Sequence, residues 1–165
     1  MTDKPTDPSQ QLPTVAIQNA LQVPSDNWFE YPVTAHPHHT DYGGVVWHGS
    51  YVAWMEEARV ECLRSIGVDY AKLVALGCEL RVVELSIRYR QPVLMGMTAI
   101  VKTRIAKIAG VRIPVDYEIR SPDGQDLFVT ARVTLVPVEQ ERGKILRQLP
   151  LGLKDALLKL TAGLG

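Results

Sequence analysis

The chain has 165 residues, 18 Lys and Arg against 18 Asp and Glu, 46% hydrophobic residues, four His and two Cys, enough for one domain with its own core. Zero formal net charge with interspersed signs offers no basic stripe for nucleic acid, and no apolar run approaches the roughly 18 residues that span a bilayer. Two cysteines, Cys62 and Cys78, are too few for a disulfide-stapled scaffold, and the first residues lack the basic start and apolar block of a signal peptide, so the expected setting is a reducing cytoplasm without membrane insertion.

Residues 1–26 carry Pro5, Pro8, Pro13 and Pro24 among Gln, Thr, Ser and Asp, a composition expected to form a mobile arm. The folded domain is then expected over 27–140, followed by an extension over 141–165. From Phe29 the chain alternates, with Phe29, Tyr31, Val33 and Ala35 on one face, the period of a half-buried strand. Pro32 donates no ladder bond, so its amide side should face away from a neighbouring strand. A loop follows through Gly43 and Gly44.

Between Ser50 and Ile66 the period changes to that of a helix, whose stripe is Tyr51, Trp54, Met55, Ala58, Cys62 and Ile66. Gly67 supplies a stop. Arg59 projects to the edge of that stripe and needs a carboxylate partner if buried. A short second helix is expected over 70–76. Four alternating segments come next, the first being Val83, Leu85, Ile87 and Tyr89 against Glu84, Ser86, Arg88 and Arg90, with a bulge at Val82-Val83. The others carry Ala99, Val101 and Ile105, then Val111 to Ile119, then Leu127 to Leu135. Ser121-Pro122-Asp123-Gly124 joins the last two as a hairpin turn. A terminal amphipathic helix over 151–160 closes the domain. Strand, long helix and four strands make an α+β architecture, in which a five-stranded antiparallel sheet wraps the helix.

The histidines, His36, His38, His39 and His48, crowd the connection into the long helix. Asp41 lies among them, and the glycines at 43 and 44 allow close backbone approach to a ligand. The first amides of the helix, near His48 to Ser50, lack intrahelical acceptors and sit at the positive dipole end. A carboxylate beside free amides can carry out acyl transfer, with the amides polarising a carbonyl while the carboxylate attacks it or activates water. On this ground alone Asp41 serves equally well as the group that merely orders the loop. His36, His38 and His39, with Asp41 or His48, also have the spacing of a three-ligand zinc site, although Pro37 works against the geometry and partly solvated loop histidines are the plainer reading. Cys62 and Cys78 lack a setting that stabilises a thiolate. Glu57 and Glu61 fall off the main stripe.

The run from Thr40 to Arg64, with its Asp-Tyr-Gly-Gly-Val-Val-Trp-His opening and its Glu-Glu-Ala-Arg continuation, resembles the acyl-CoA thioesterases of the 4-hydroxybenzoyl-CoA thioesterase class, in particular the branch associated with the Tol–Pal genes. The resemblance covers about residues 28–140. It implies the hotdog fold, hydrolysis of acyl-CoA to free acid and coenzyme A, no cofactor or metal, and a homodimer or homotetramer. It also implies that Asp41 is the catalytic carboxylate and that His48 marks the amide, and supplies an imidazole, at the thioester carbonyl. Gly43, Gly44, Val45, Trp47, Tyr51 and Trp54 are the expected substrate-binding residues. His39 stands where the family has the first acid of an Asp-x-Asp pair. The basic residues that hold coenzyme A phosphates in one family member do not carry over to Ile108, Ala109 and Gly110, leaving Lys107 and Arg112 as neighbouring candidates. The competing reading is a hotdog module that binds acyl groups or partners without hydrolysing them, for which Asp41 beside the helix amides would have no use. A hydratase of the same fold would need its His and acid placed differently.

Overall fold

The structure, a computed structural model, describes residues 26–162, so nearly all of the expected arm lies outside the described residues. Its elements are β1 (Phe29–Thr34), a 3-10 turn (Pro37–His39), α1 (His48–Ser65), α2 (Tyr70–Ala75), β2 (Cys78–Tyr89), β3 (Thr98–Ile105), β4 (Ile113–Arg120), β5 (Leu127–Glu139) and α3 (Leu151–Thr161). The strands form one antiparallel sheet in the order β1-β3-β4-β5-β2. This is the expected five-stranded sheet around a long helix. The alternation translates directly into burial: Ala99, Val101, Ile105, Ile113, Val115, Tyr117 and Ile119 all face the core. Pro32 sits on β1, an edge strand, where no second neighbour asks for its missing N–H.

Helix α1 buries Tyr51, Trp54, Met55, Ala58 and Cys62, the stripe read from its spacing. It starts two residues before the expected Ser50 and ends one residue before Ile66. Gly67 terminates it with φ +84°, a left-handed turn in which its N–H reaches the Arg64 carbonyl. Arg59 is buried at 5% exposure and has the expected carboxylate partner in Glu56, although a tyrosine lies closer. The guanidinium donates to the Tyr117 hydroxyl at 3.2 Å, while the mostly exposed Glu56 carboxylate stays at 3.8 Å. Burial pushes the Tyr117 phenol up to about 12, so it meets the guanidinium as a neutral acceptor.

The expected bulge lies between Val82 and Glu84, where β2 slips against β5. The hairpin turn holds as read, with Gly124 at φ +76° and its N–H on the Ser121 carbonyl at 2.9 Å. The terminal helix contributes Leu153, Ala156 and Leu157 to the same core as the sheet. One expectation fails in part. Leu80 and Ile87 of β2 pack against the core, but Val82, Val83, Leu85 and Tyr89 are 44%, 45%, 41% and 46% exposed. The reason is dimensional, because five strands about 4.8 Å apart are roughly 20 Å wide, whereas a helix with its side chains spans about 10–12 Å. Helix α1 packs mainly on β3 and β1, at the opposite side of the sheet from β2.

Candidate active site

The loop between β1 and α1 is fastened to the helix start. The His39 carbonyl accepts both the Trp47 N–H and the Ser50 hydroxyl, each at 2.9 Å, so the chain doubles back across residues 40–46. Within that hairpin the Asp41 N–H donates to the Val45 carbonyl at 2.9 Å and the Gly44 N–H to the Asp41 carbonyl at 3.1 Å. Gly44 holds φ +77°, the left-handed conformation that a Cβ would strain. The Asp41 carboxylate closes the turn, its Oδ1 accepting from the Gly43 N–H at 2.8 Å and from the Val45 N–H at 3.3 Å. Among the described residues, the hydrogen bonds to this carboxylate all fall on Oδ1.

The facing wall comes from the connection between β2 and β3. The Val46 N–H donates to the Val93 carbonyl and the Val93 N–H to the Tyr51 hydroxyl, both at 2.9 Å. Tyr51 in turn meets Tyr89 with ring centroids 5.6 Å apart, and the Tyr89 hydroxyl reaches the His48 carbonyl at 3.4 Å. These contacts border an open cavity of about 390 Å³. Asp41, Val45, Trp47, His48 and Tyr51 line it, together with Val46 and the residues from Tyr89 to Pro92. Helix α1 opens at this cavity, and its N-cap residue, Trp47, provides no side-chain acceptor for the first amides. The positive end of an 18-residue helix therefore stands beside an exposed carboxylate. That pairing can polarise a carbonyl from one side and attack it, or activate water against it, from the other.

Of the expected site residues, Gly43 and Gly44 shape the turn without lining the cavity. Trp54 is 2% exposed, with its ring edge-on to Tyr51 at 5.6 Å and to His39 at 5.2 Å, so it lies in the core. Trp47, by contrast, is 53% exposed and lies across Gly49, where an added Cβ would fall 2.0 Å from its ring. Tyr89, Arg90, Gln91 and Pro92 were not anticipated. Tyr89 had one usable signal, its place on the apolar face of an alternating segment.

The histidines bond and pack against one another. His38 and His39 have ring centroids 3.9 Å apart, and His39 Nδ1 accepts the His36 N–H at 3.0 Å. Among the described residues, no group of three or more His, Cys, Asp or Glu is arranged to hold a metal ion. Cys62 and Cys78 are both free and buried, and burial pushes the Cys62 thiol up to about 12, far from a reactive thiolate. Burial first, and then the rings of His38 and His36, lower the pKa of His39. Its folded value thus lies below the unfolded one of about 6.5, so the unfolded chain takes up this proton first. The associated stability is complete above that pH and declines as the pH falls from about 6.5 toward the folded value. Thermal melts between pH 7.5 and 5 should therefore show an acid limb that is shallower in His39→Asn; equal slopes would refute the assignment.

Residues 35–157 match the thioesterase-like superfamily. The chain belongs to this family. A Synechocystis protein named "Putative esterase sll0410" is 48% identical over 87% of this chain and 86% of its own length. The acyl-CoA thioester hydrolase YbgC of Escherichia coli is 33% identical over 67% of this chain and 82% of its own length. The solved structure of the DHNA-CoA thioesterase of Staphylococcus aureus superposes with a TM-score of 0.76 at 26% identity, covering 82% of this chain and 91% of that one. The thioesterase-like chain thus has the hotdog fold and is a thioester hydrolase, the enzyme class implied by its residues 40–64.

Proposed function

We propose that this thioester hydrolase acts on acyl-CoA, releasing a free acid and coenzyme A. The observation that carries the reading is the single cavity shared by Asp41 and the uncapped start of α1. The thioester carbonyl oxygen lies at the first amides of α1, beside His48, where negative charge developing on it is stabilised by N–H groups and the helix dipole. The Asp41 carboxylate then acts in one of two ways. As a nucleophile it bonds to the carbonyl carbon and expels coenzyme A as thiolate, leaving an acyl anhydride that water cleaves. As a general base it takes a proton from water while the water oxygen bonds to that carbon, and the tetrahedral adduct then collapses, breaking the C–S bond and expelling the coenzyme A thiolate, which takes up the proton. Val45, Trp47 and Tyr51 supply the apolar surface for the acyl group, and Gly43 and Gly44 let the loop backbone approach it. The test is thiol release across a panel of acyl-CoAs of different chain length and aromaticity. Absence of hydrolysis throughout, with acyl-CoA still bound, would favour the non-catalytic acyl-binding module instead.

The half-exposed apolar residues of β2 support a homodimer. An edge strand of 12 residues carrying Val82, Val83 and Leu85 is a long, uncovered pairing edge. Two copies pairing β2 to β2 would make a continuous sheet with two-fold symmetry and bury those side chains. Lysine at Val83 and Leu85 should give a monomer by light scattering with thioesterase activity reduced. A variant of unchanged mass would refute the β2 interface. The free, buried cysteines accord with the reducing cytoplasm as the place of action.

A further inference from the structure

The acyl-CoA reading leaves open what holds the phosphates of coenzyme A. The two candidates suggested by sequence are poorly placed: Arg112 is paired with Glu84 at 3.3 Å, and neither it nor Lys107 lines the cavity of Asp41. Arg90 does line it. Arg90 also borders a second, shallow cavity of about 270 Å³ on the outer face of the sheet, whose other walls are Ser86, Arg88, Thr130, Ala131 and Arg132. Three arginines and two hydroxyl residues meet there without a carboxylate. Arg132 is already committed, with two bonds to Asp116 at 2.6 and 3.0 Å. Arg88 and Arg90 have no ion pair among the described residues, and both are exposed.

Strand geometry explains why these arginines and the catalytic cavity are adjacent. Tyr89 turns to the inner face and packs near Tyr51, so Arg88 and Arg90, one residue to either side, belong to the outer face. The register continues past the strand end, because the Arg90 N–H donates to the Phe128 carbonyl at 2.8 Å. Residues two apart on a strand are about 7 Å apart, which lets two guanidinium groups address neighbouring phosphates of one diphosphate. From Arg90 back to Ser86, which stands opposite Arg132, the outer face runs about 13 Å, giving an elongated anionic ligand a track that starts at the mouth of the cavity.

We propose that Arg88 and Arg90 are the phosphate station of the acyl-CoA site, with the pantetheine arm passing over the end of β2 from the cavity of Asp41 to the outer face. The proposal rests on the acyl-CoA reading above and is separable from it. Arg88→Gln and the double variant with Arg90→Gln should be assayed on an acyl-CoA and on the same acyl group carried by N-acetylcysteamine, a thioester without phosphate. The ratio of kcat/KM for the two substrates should fall roughly tenfold to hundredfold, the scale of losing one or two charge-assisted hydrogen bonds, mostly through KM for acyl-CoA. Equal losses on both substrates, or no loss on acyl-CoA, would overturn the station. Calorimetric binding of coenzyme A itself keeps the two readings apart. Wild-type chain that binds it, loses binding in the variants, but hydrolyses no acyl-CoA would overturn the hydrolase reading and support the station. Wild-type chain that does not bind coenzyme A would overturn the station.

Discussion

Asp41→Asn is expected to lower kcat for acyl-CoA by about 10²–10⁴-fold, the usual contribution of a positioned acid or base, while the protein stays folded. That corresponds to about 3–5 kcal/mol of barrier. The carboxylate oxygen Oδ1 now has a structural task, receiving the Gly43 and Val45 amides at 2.8 and 3.3 Å. Asparagine retains a carbonyl oxygen that can accept both, so the turn survives, and the Tm should stay within a few degrees of wild type. What it loses is the negative charge and the basic or nucleophilic second oxygen. The substitution thus separates the two roles that sequence alone left equal, ordering the loop and performing the chemistry. Wild-type turnover in Asp41→Asn would leave Asp41 with the loop alone. Acid-quenched single turnovers then divide the chemistry: a protein carrying the mass of the acyl group identifies a nucleophile, and its absence a general base.

The candidate site was legible where its parts are contiguous in sequence. Asp41, Val45, Trp47, His48 and Tyr51 lie within one loop and the first turn of a helix, so local chemistry and helical spacing place them together. Tyr89, Arg90, Gln91 and Pro92 reach the cavity through tertiary pairing, the Val93 N–H on the Tyr51 hydroxyl and the Arg90 N–H on Phe128, which no spacing encodes. The same limit applies to β2. Alternation marks Val83 and Leu85 as an apolar face, but whether the chain's own helix covers that face depends on sheet order and width, and here β2 is the edge far from α1. Arg59 shows the converse. Its burial was a conditional expectation, and the nearest partner of its guanidinium, Tyr117, comes from a strand 58 residues away. The histidine cluster has the spacing of metal ligands, yet once folded the His38 and His39 rings pack tilted against each other and one Nδ1 is taken by a backbone N–H.

The two tryptophans flanking the start of α1 should respond in opposite ways, with Trp54→Ala costing about 3–5 kcal/mol of stability. Both stand among the substrate-binding residues that the family resemblance implies. Position along the helix separates them. Trp54 lies one turn past Tyr51, about 4.5 Å deeper along the axis, and its 2% exposure puts nearly the whole indole in the core. Truncation leaves a void where Tyr51 and His39 now pack edge-on, and both hold the site: Tyr51 through its bond to Val93, His39 through its carbonyl on Trp47 and Ser50. Against a typical total of about 5–15 kcal/mol, such a loss should greatly lower the urea midpoint, and activity should fall with it. Trp47→Ala removes a ring that is already 53% exposed, so stability should change by less than about 1 kcal/mol while KM shifts with acyl-chain length. Urea unfolding and kinetics on the same pair of variants check both expectations. A stable Trp54→Ala with altered chain-length preference would return Trp54 to the substrate pocket.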